Sequence, residues 1–130
     1  MAFRRQHNWP VGKGQRKTRG VLNSTERKFL EGHIAPLMLS GEAVAWWYER
    51  WTWALTESTP GGLPGIRYTP DFIVLMASGE LVAYEVKGTG NARRQDLNRT
   101  KLFADLFPLR CFVATAQTQK DGGGFAVCEY

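Results

Sequence analysis

The sequence predicts an α/β layer domain in which helices flank a central mixed β-sheet. Two apolar runs, DFIVLM and LVAYEVK, lie on either side of a short Gly-containing turn and indicate a β-hairpin. A helical pattern lies on each side of this hairpin along the chain, and two further β-type runs follow. The predicted order of helices and strands is therefore α-β-β-β-α-β-β. The apolar faces of these elements are buried when the helices and the sheet pack in layers.

Each predicted element has its own signal in the sequence. Apolar residues recur at helical spacing from about 23 to 41, where Gly32 and Pro36 predict a kink or an early end. Residues 42–56 are rich in aromatic and β-branched residues and indicate one strand. A Pro/Gly-rich surface loop follows, and the hairpin comes next. The remaining elements are a helix over about 91–107, the strand RCFVATA and the edge strand FAVCEY.

The composition fits a basic, single-domain protein. Its 130 residues are enough for one hydrophobic core, and 17 Lys and Arg outnumber 12 Asp and Glu, which gives a formal charge of +5. This surplus favours a polyanionic partner, although basic proteins of other kinds share it. The two cysteines, Cys111 and Cys128, cannot hold a structural zinc ion alone.

The sequence also bears on where the protein acts. No apolar h-region follows the basic N-terminus, as a secretory signal would require. No apolar run approaches the roughly 18–20 residues that span a bilayer. We therefore expect a cytoplasmic protein with reduced thiols and no membrane contact.

Residues 1–20 form a predicted flexible basic arm, and residues 21–130 form the predicted folded domain. The arm has no acidic residue, and Phe3 and Trp9 lie between its basic residues. Such a segment favours contact with nucleic-acid phosphates, but many basic tails are simply solvated. Its candidate nucleic-acid-binding residues are Arg4, Arg5, Lys13, Arg16, Lys17 and Arg19.

The hairpin carries the strongest candidate site. If residues 77–79 form a three-residue loop with Gly79 in the left-handed conformation, Asp71 lies directly opposite Glu85. Directly opposed residues share a face, with Cβ atoms about 4.5–5.5 Å apart. Lys87 joins that face because side chains alternate with period two. A two-residue loop would instead place the two carboxylates on opposite faces.

Two opposed carboxylates at the end of an apolar hairpin suit a metal ion. They repel one another, and a divalent cation with a preference for oxygen ligands, such as Mg²⁺ or Mn²⁺, removes that repulsion. Lys87 beside them would order an attacking water or stabilise charge on a phosphate. The alternative is that Glu85 and Lys87 are only a solvated ion pair on a strand.

The same residues resemble the PD-(D/E)xK nuclease superfamily. The resemblance lies in Tyr-Thr-Pro-Asp-Phe at 68–72, the Gly-containing turn, and Tyr-Glu-Val-Lys-Gly at 84–88. Upstream and downstream elements also follow the superfamily's order, so that the likeness covers roughly residues 23–116. Among its members, the sequence is most similar to small phage endonucleases of the endonuclease I type, which resolve Holliday junctions, and to TnsA-like transposon nucleases.

This resemblance implies a restriction-endonuclease-like core and a metal-dependent endonuclease that hydrolyses DNA. By the family pattern, Asp71, Glu85 and the Val86 carbonyl hold Mg²⁺, for which Mn²⁺ would substitute. Glu26 on the first helix would complete the site. Alternatively, Glu26 is a capping-box residue that reaches back to the helix start, and Glu31 takes its place at the metal. If the protein is phage-encoded, the compartment is the host cytoplasm.

Two further sets of residues have open interpretations. Gln95 and Arg99 are predicted on one helix face with Leu102, Phe103 and Leu106, where a phosphate would be their partner; surface placement is the alternative. The second set, Trp47, Trp51 and Trp53, shares one strand parity in the predicted strand. This set is interpreted mainly as core packing, with base stacking as the other possibility.

The resemblance leaves the substrate and assembly open. It suggests branched or nicked DNA over plain duplex, and one alternative is a homodimeric Holliday-junction resolvase. Another alternative, from a different functional class, is a non-catalytic nucleic-acid-binding module that retains the nuclease fold. The intact set of Asp71, Glu85 and Lys87 argues against the non-catalytic module.

Overall fold

The structure is a computed structural model that describes residues 20–89 and 94–130, with the backbone alone for residues 94–96. The predictions for the basic residues at positions 4–19 and for the Gln95 side chain lie outside this description. The prediction that the second helix begins near 91 also falls on residues that are not described.

The first helix is continuous but changes its hydrogen-bonding pattern midway. Helix α1 (Ser24–Phe29) leads into a π-helical segment (Leu30–Ile34), and α2 (Ala35–Ser40) completes it. Pro36 lies in the first turn of α2 and has no backbone N–H to donate to the preceding turn. The pattern change just before Pro36 is the local irregularity that the proline predicts.

A five-stranded mixed sheet forms the centre of the fold. Its strands are β1 (Ala43–Tyr48), β4 (Phe72–Met76), β5 (Leu81–Lys87), β6 (Arg110–Ala116) and β7 (Phe125–Glu129), and they lie side by side in this order. Strands β5 and β6 are parallel, and the other pairs are antiparallel. Helix α3 (Arg94–Leu106) connects the two parallel strands, because parallel neighbours need a long crossover connection. The predicted α/β class and mixed central sheet are confirmed at this level.

The hairpin of β4 and β5 has the predicted register. Val74 pairs with Val82, and the Met76 N–H donates to the Glu80 carbonyl at 2.9 Å. Gly79 has φ +89°, the left-handed conformation that the three-residue loop needs and that glycine adopts without steric cost. The same register, continued to the end of the hairpin, sets Asp71 opposite Glu85.

The prediction of a single strand over residues 42–56 is wrong. Strand β1 ends at Tyr48 and Glu49 has φ +44°, which turns the chain out of the sheet. A separate short strand, β2 (Trp53–Ala54), pairs with β3 (Arg67–Tyr68) in a two-stranded sheet. Trp51, in the connection, is 40% exposed, so the three tryptophans do not share one buried strand face.

Side chains from alternating strand positions build a core on each face of the sheet. On one face, Phe72, Val74 and Tyr84 pack against Phe29 and Ile34 of the first helix. On the other, Ile73 and Ala83 pack with Tyr68, Phe103 and Cys111. Trp47 and Trp53 pack against this second core, which supports the core-packing interpretation for these two tryptophans. The cores cover both faces of β4 and β5, which explains their continuous apolar sequence.

The predicted helical phase of α3 is wrong in part. Thr100 and Phe103 are fully buried, whereas Leu106 is 52% exposed and Arg99 is exposed. The buried face therefore includes a polar residue, Thr100, which donates a hydrogen bond to the Tyr68 hydroxyl. An apolar pattern alone cannot reveal such a position, because the hydroxyl is tolerated only where a partner meets it.

Among the described residues, no helix combines the length and the apolar character needed to cross a bilayer.

Candidate functional site

Three carboxylates converge where β1 ends and β4 begins. Glu26, Glu49 and Asp71 each place one carboxylate oxygen within 4.8 Å of the others. Glu26 and Asp71 are buried, with 2% and 8% of their surface exposed, and Glu49 is partly buried. They come from three separate segments, a helix, a strand end and the entry to the hairpin, so that the fold as a whole brings them together.

Glu26 is held in place by the start of helix α1. Its backbone N–H donates to Asn23 Oδ1 at 2.8 Å, and its Oε2 accepts from the Asn23 N–H at 2.9 Å. The same Oε2 accepts from the Tyr48 hydroxyl at 2.6 Å. The capping role and the place in the carboxylate cluster, which the sequence offers as alternatives, therefore belong to the same residue. Glu31 is exposed and lies outside the cluster.

The backbones of Glu49 and Asp71 are tied directly to each other. The Glu49 N–H donates to the Asp71 carbonyl at 2.9 Å, which joins the end of β1 to the chain just before β4. Asp71 Oδ2 accepts from the Val86 N–H at 2.8 Å, and Glu49 Oε2 accepts from the Gly20 N–H at 3.1 Å. Val86 thus contacts Asp71 through its amide, whereas the sequence prediction assigned its carbonyl to the metal.

The dimensions and chemistry of the cluster fit a divalent cation with oxygen ligands. Opposite ligands lie about 4.2 Å apart around Mg²⁺ and about 4.6–5.2 Å apart around Ca²⁺, twice the respective metal–oxygen distances. The three oxygens lie within 4.8 Å of one another, so that no pair is farther apart than two oxygen ligands of one such cation can be. The three oxygen ligands, with no sulfur or imidazole among them, favour such cations over zinc or copper.

Glu85 and Lys87 lie in a second, adjoining network that is held by a buried tyrosine. Lys87 Nζ is 2.8 Å from Glu85 Oε1, and Glu85 Oε2 accepts from the Tyr68 hydroxyl at 2.7 Å. Thr100 Oγ1 donates to that hydroxyl at 3.2 Å. The side chains of Lys87 and Glu85 are only 17% and 10% exposed, so this is not the solvated strand pair considered as the alternative.

The Tyr68 hydroxyl stays protonated in this network. Burial, followed by the negative charge of Glu85, raises the pKa of Tyr68 far above its ordinary value. The phenol is therefore a permanent hydrogen-bond donor to Glu85, and the Thr100 hydroxyl supplies its remaining partner. This arrangement fixes the position of the carboxylate that pairs with Lys87.

A cavity of about 300 Å³ opens beside this network. Its lining includes three cationic side chains and a single carboxylate, a balance that suits a phosphate group. The lining residues are Arg67, Tyr68, Thr69, Glu85, Lys87 and Arg99. Arg99, predicted from the sequence as a phosphate contact, thus faces a suitable space, although it does so from the exposed side of α3.

The structure therefore divides the predicted catalytic set into two neighbouring groups. Glu26 and Asp71 meet in the carboxylate cluster, and Glu85 and Lys87 meet at the small cavity. Asp71 links the groups, because it is opposite Glu85 in the hairpin and bonds to the next residue along β5.

The sequence did not predict roles for Glu49, Tyr68, Arg67 and Thr100 in these groups. No local pattern marks Glu49, since its approach to Asp71 depends on the backbone turn at the end of β1. Tyr68 is the first residue of the Tyr-Thr-Pro-Asp-Phe motif, but the sequence pattern gives it no role. Its spacing of three residues from Asp71 is the available signal. Arg67 directly follows the Pro/Gly-rich loop, a segment without periodicity that could mark a site residue.

No family model matches the chain, and no curated protein and no solved structure is similar to it.

Proposed function

We propose that the protein is a metal-dependent nuclease of the PD-(D/E)xK type that hydrolyses phosphodiester bonds in DNA. The observation that carries the proposal is the convergence of Glu26, Glu49 and Asp71 within 4.8 Å. The opposed hairpin residue Glu85 and its partner Lys87 lie next to this cluster, in the order that the sequence resemblance implies.

The carboxylate cluster is the proposed site of one Mg²⁺ ion, with Mn²⁺ as a substitute. A cation held there by Glu26, Glu49 and Asp71 would make a bound water more acidic and would stabilise negative charge on the phosphate. The chain holds the ligands before the cation arrives: Glu26 by its helix cap and Tyr48, and Asp71 by the Val86 amide. Little reorganisation is needed on binding, which favours affinity.

Lys87 and the small cavity would act on the phosphate. The ammonium group of Lys87 is held by Glu85 and is well placed to stabilise negative charge that develops on the phosphoryl oxygens. Arg67 and Arg99 line the same cavity and would fix the phosphate by charge-assisted hydrogen bonds. Glu85 in this proposal acts by holding Lys87, and it is not among the three carboxylates of the cluster.

The decisive experiment compares Asp71→Asn with wild type in Mg²⁺ and in EDTA, on single-stranded DNA, linear duplex and a four-way junction. The substitution keeps an acceptor for the Val86 N–H but removes the charge that a cation needs. We expect cleavage to fall by at least about a hundredfold, by analogy with loss of a group that stabilises the transition state. Asp105→Asn is the matched control, because Asp105 is exposed on α3 outside the site.

The proposal predicts that Asp71→Asn cleaves at least about a hundredfold more slowly yet still binds DNA, and that Asp105→Asn behaves as wild type. If wild-type protein with Mg²⁺ or Mn²⁺ cuts no DNA or RNA substrate, the nuclease proposal is overturned. Equal cleavage by Asp71→Asn and wild type would remove the carboxylate cluster from the mechanism.

A further inference from the structure

A second, larger cavity of about 830 Å³ lies between the first helix and the end of the sheet. Its walls come from α1 and the π-helical segment, from the residues after β5, and from the connection between β6 and β7. The carboxyl ends of the two parallel strands, β5 and β6, therefore open onto it, a place where α/β folds commonly bind ligands.

Two walls of the cavity contain chain neighbours of residues in the proposed active site. Thr25, in one wall, precedes Glu26 of the carboxylate cluster in the chain, and Gly88, in another wall, follows Lys87. Neighbouring Cα atoms are about 3.8 Å apart. A strand in the cavity would therefore run close to the backbone at Glu26 and at Lys87.

The chemistry of the lining matches the parts of a nucleotide. Lys28 supplies a positive charge, and no acidic residue is among the described residues that line the cavity. Gln117 and Gln119 carry amides, which can donate to and accept from a base edge. Phe125 and His33 add aromatic rings to the lining, and aromatic rings are the groups on which bases stack.

The rings are held rigidly rather than being loose surface groups. Phe29, at the centre of the first core, stacks on His33 with ring centroids 4.9 Å apart, and it meets Phe125 edge-on at 5.2 Å. His33 Nε2 also lies 3.3 Å from the Tyr84 hydroxyl. Both rings are half-buried, so each keeps part of its surface toward the cavity.

The size of the cavity decides between a duplex and a single nucleotide. A cube with the volume of this cavity has an edge of about 9 Å. A B-DNA duplex is wider than that, because its major groove alone is ~12 Å wide. A duplex cannot enter, whereas the volume is within the ~300–1,000 Å³ range of small-ligand sites. The volume therefore suits a single nucleotide that is not base-paired.

We infer that this cavity takes an unpaired nucleotide of the substrate strand, next to the bond that is cut. The inference rests on the proposed nuclease function and narrows its substrate class to nucleic acid with single-stranded segments, such as tails and flaps. Intact duplex lacks the element that fills the cavity.

The test measures binding by fluorescence anisotropy in EDTA, so that cleavage does not interfere. The full chain is titrated against a labelled single strand, a blunt duplex of the same sequence and that duplex with an unpaired tail. We expect the single strand and the tailed duplex to bind about tenfold more tightly than the blunt duplex, the gain of one stacked base. A mononucleotide competitor distinguishes a free nucleotide from a nucleotide within a strand.

Two substitutions test the cavity itself, each with a matched control. Phe125→Leu keeps an apolar side chain but removes the ring, and it should weaken single-strand binding about tenfold. Phe107→Leu removes a half-buried ring elsewhere and should not. Lys28→Ala should lower the salt slope of single-strand binding by about 0.7, one phosphate contact, whereas Lys101→Ala, an equal loss of charge on exposed α3, should leave the slope unchanged.

The inference is overturned if blunt duplex binds as tightly as single strand, or if Phe125→Leu has no larger effect than Phe107→Leu. A mononucleotide that competes as effectively as the strand would also overturn it, since the site would then serve free nucleotides. These measurements need no catalysis. Selective binding of single strands without any cleavage would therefore overturn the nuclease proposal and support the nucleotide site. Cleavage without selective binding would support the nuclease proposal and overturn the nucleotide site.

Discussion

Replacing Tyr68 by phenylalanine is the sharpest test of the network that holds Glu85. The substitution removes one oxygen atom from a residue that is 6% exposed and leaves its packing against Phe103 unchanged. The Glu85 carboxylate loses a donor at 2.7 Å, and the fully buried Thr100 hydroxyl loses its acceptor. Water cannot readily replace either contact at such low exposure.

The expected cost follows from these two contacts. A hydrogen bond to a charged group contributes about 1.5–3 kcal/mol and a neutral one about 0.5–1.5 kcal/mol. Since the two bonds share the same oxygen and are not additive, we expect the free energy of unfolding to fall by about 2–3 kcal/mol. With a urea dependence of about 2 kcal/mol per molar, the unfolding midpoint should fall by roughly 1–1.5 M.

Urea unfolding followed by tryptophan fluorescence measures this shift, and Tyr84→Phe is the matched control. Tyr84 loses the same atom on the opposite face of the sheet, where its hydroxyl makes a 3.3 Å contact with His33. We expect its cost to stay below about 1 kcal/mol. In the nuclease assay, Tyr68→Phe should also slow cleavage about tenfold, because Glu85 then holds Lys87 less firmly; a tenfold change corresponds to about 1.4 kcal/mol.

Equal midpoints for Tyr68→Phe and Tyr84→Phe would refute the claim that the Tyr68 hydroxyl holds Glu85. A large loss of stability with an unchanged cleavage rate would show that the network stabilises the fold and has no part in the reaction.

Two further predictions concern the cluster and the buried thiol. Glu49→Gln should weaken Mn²⁺ binding at least about tenfold in calorimetric titration, because a ligand charge is lost, whereas Glu31→Gln on the exposed helix surface should not; equal affinities would exclude Glu49 as a ligand. Burial and the charge of Glu85 raise the pKa of Cys111 to about 12, so between about pH 9 and 12 the unfolded chain releases a proton that the folded chain retains, and stability falls as pH rises. Cys111→Ala should reduce this slope by up to about 1.4 kcal/mol per pH unit between about pH 9 and 10, below the range in which the tyrosines of the unfolded chain ionise, and Cys128→Ala, whose thiol is exposed, should leave it unchanged; an unchanged slope in Cys111→Ala would contradict the assignment.

The part of the fold governed by local geometry was predictable from sequence. The turn at Gly79 determines the hairpin register, and the register determines which residues oppose one another, so that the relation of Asp71 to Glu85 followed from a few neighbouring residues. The order of the main helices and strands followed from periodicity in the same way.

What escaped prediction depends on contacts between distant segments. Residues 42–56 read as one strand because their composition is uniform, yet the Glu49 N–H bonds to the Asp71 carbonyl and the chain leaves the sheet there. Thr100 was missed because its burial is satisfied only by Tyr68, which is 32 residues away. Long-range pairing of polar groups leaves no periodic trace in a single sequence, and this is also why Glu49 was not expected in the site.

The backbone of Glu49 carries a further consequence. Its φ of +44° costs a side-chain-bearing residue about 1–2 kcal/mol relative to glycine. Glycine at this position would therefore make the fold more stable and would remove a carboxylate from the cluster. Selection for thermal stability alone should favour glycine at position 49, whereas selection for a working site should keep the strained glutamate. Stability and activity therefore favour different residues at this position.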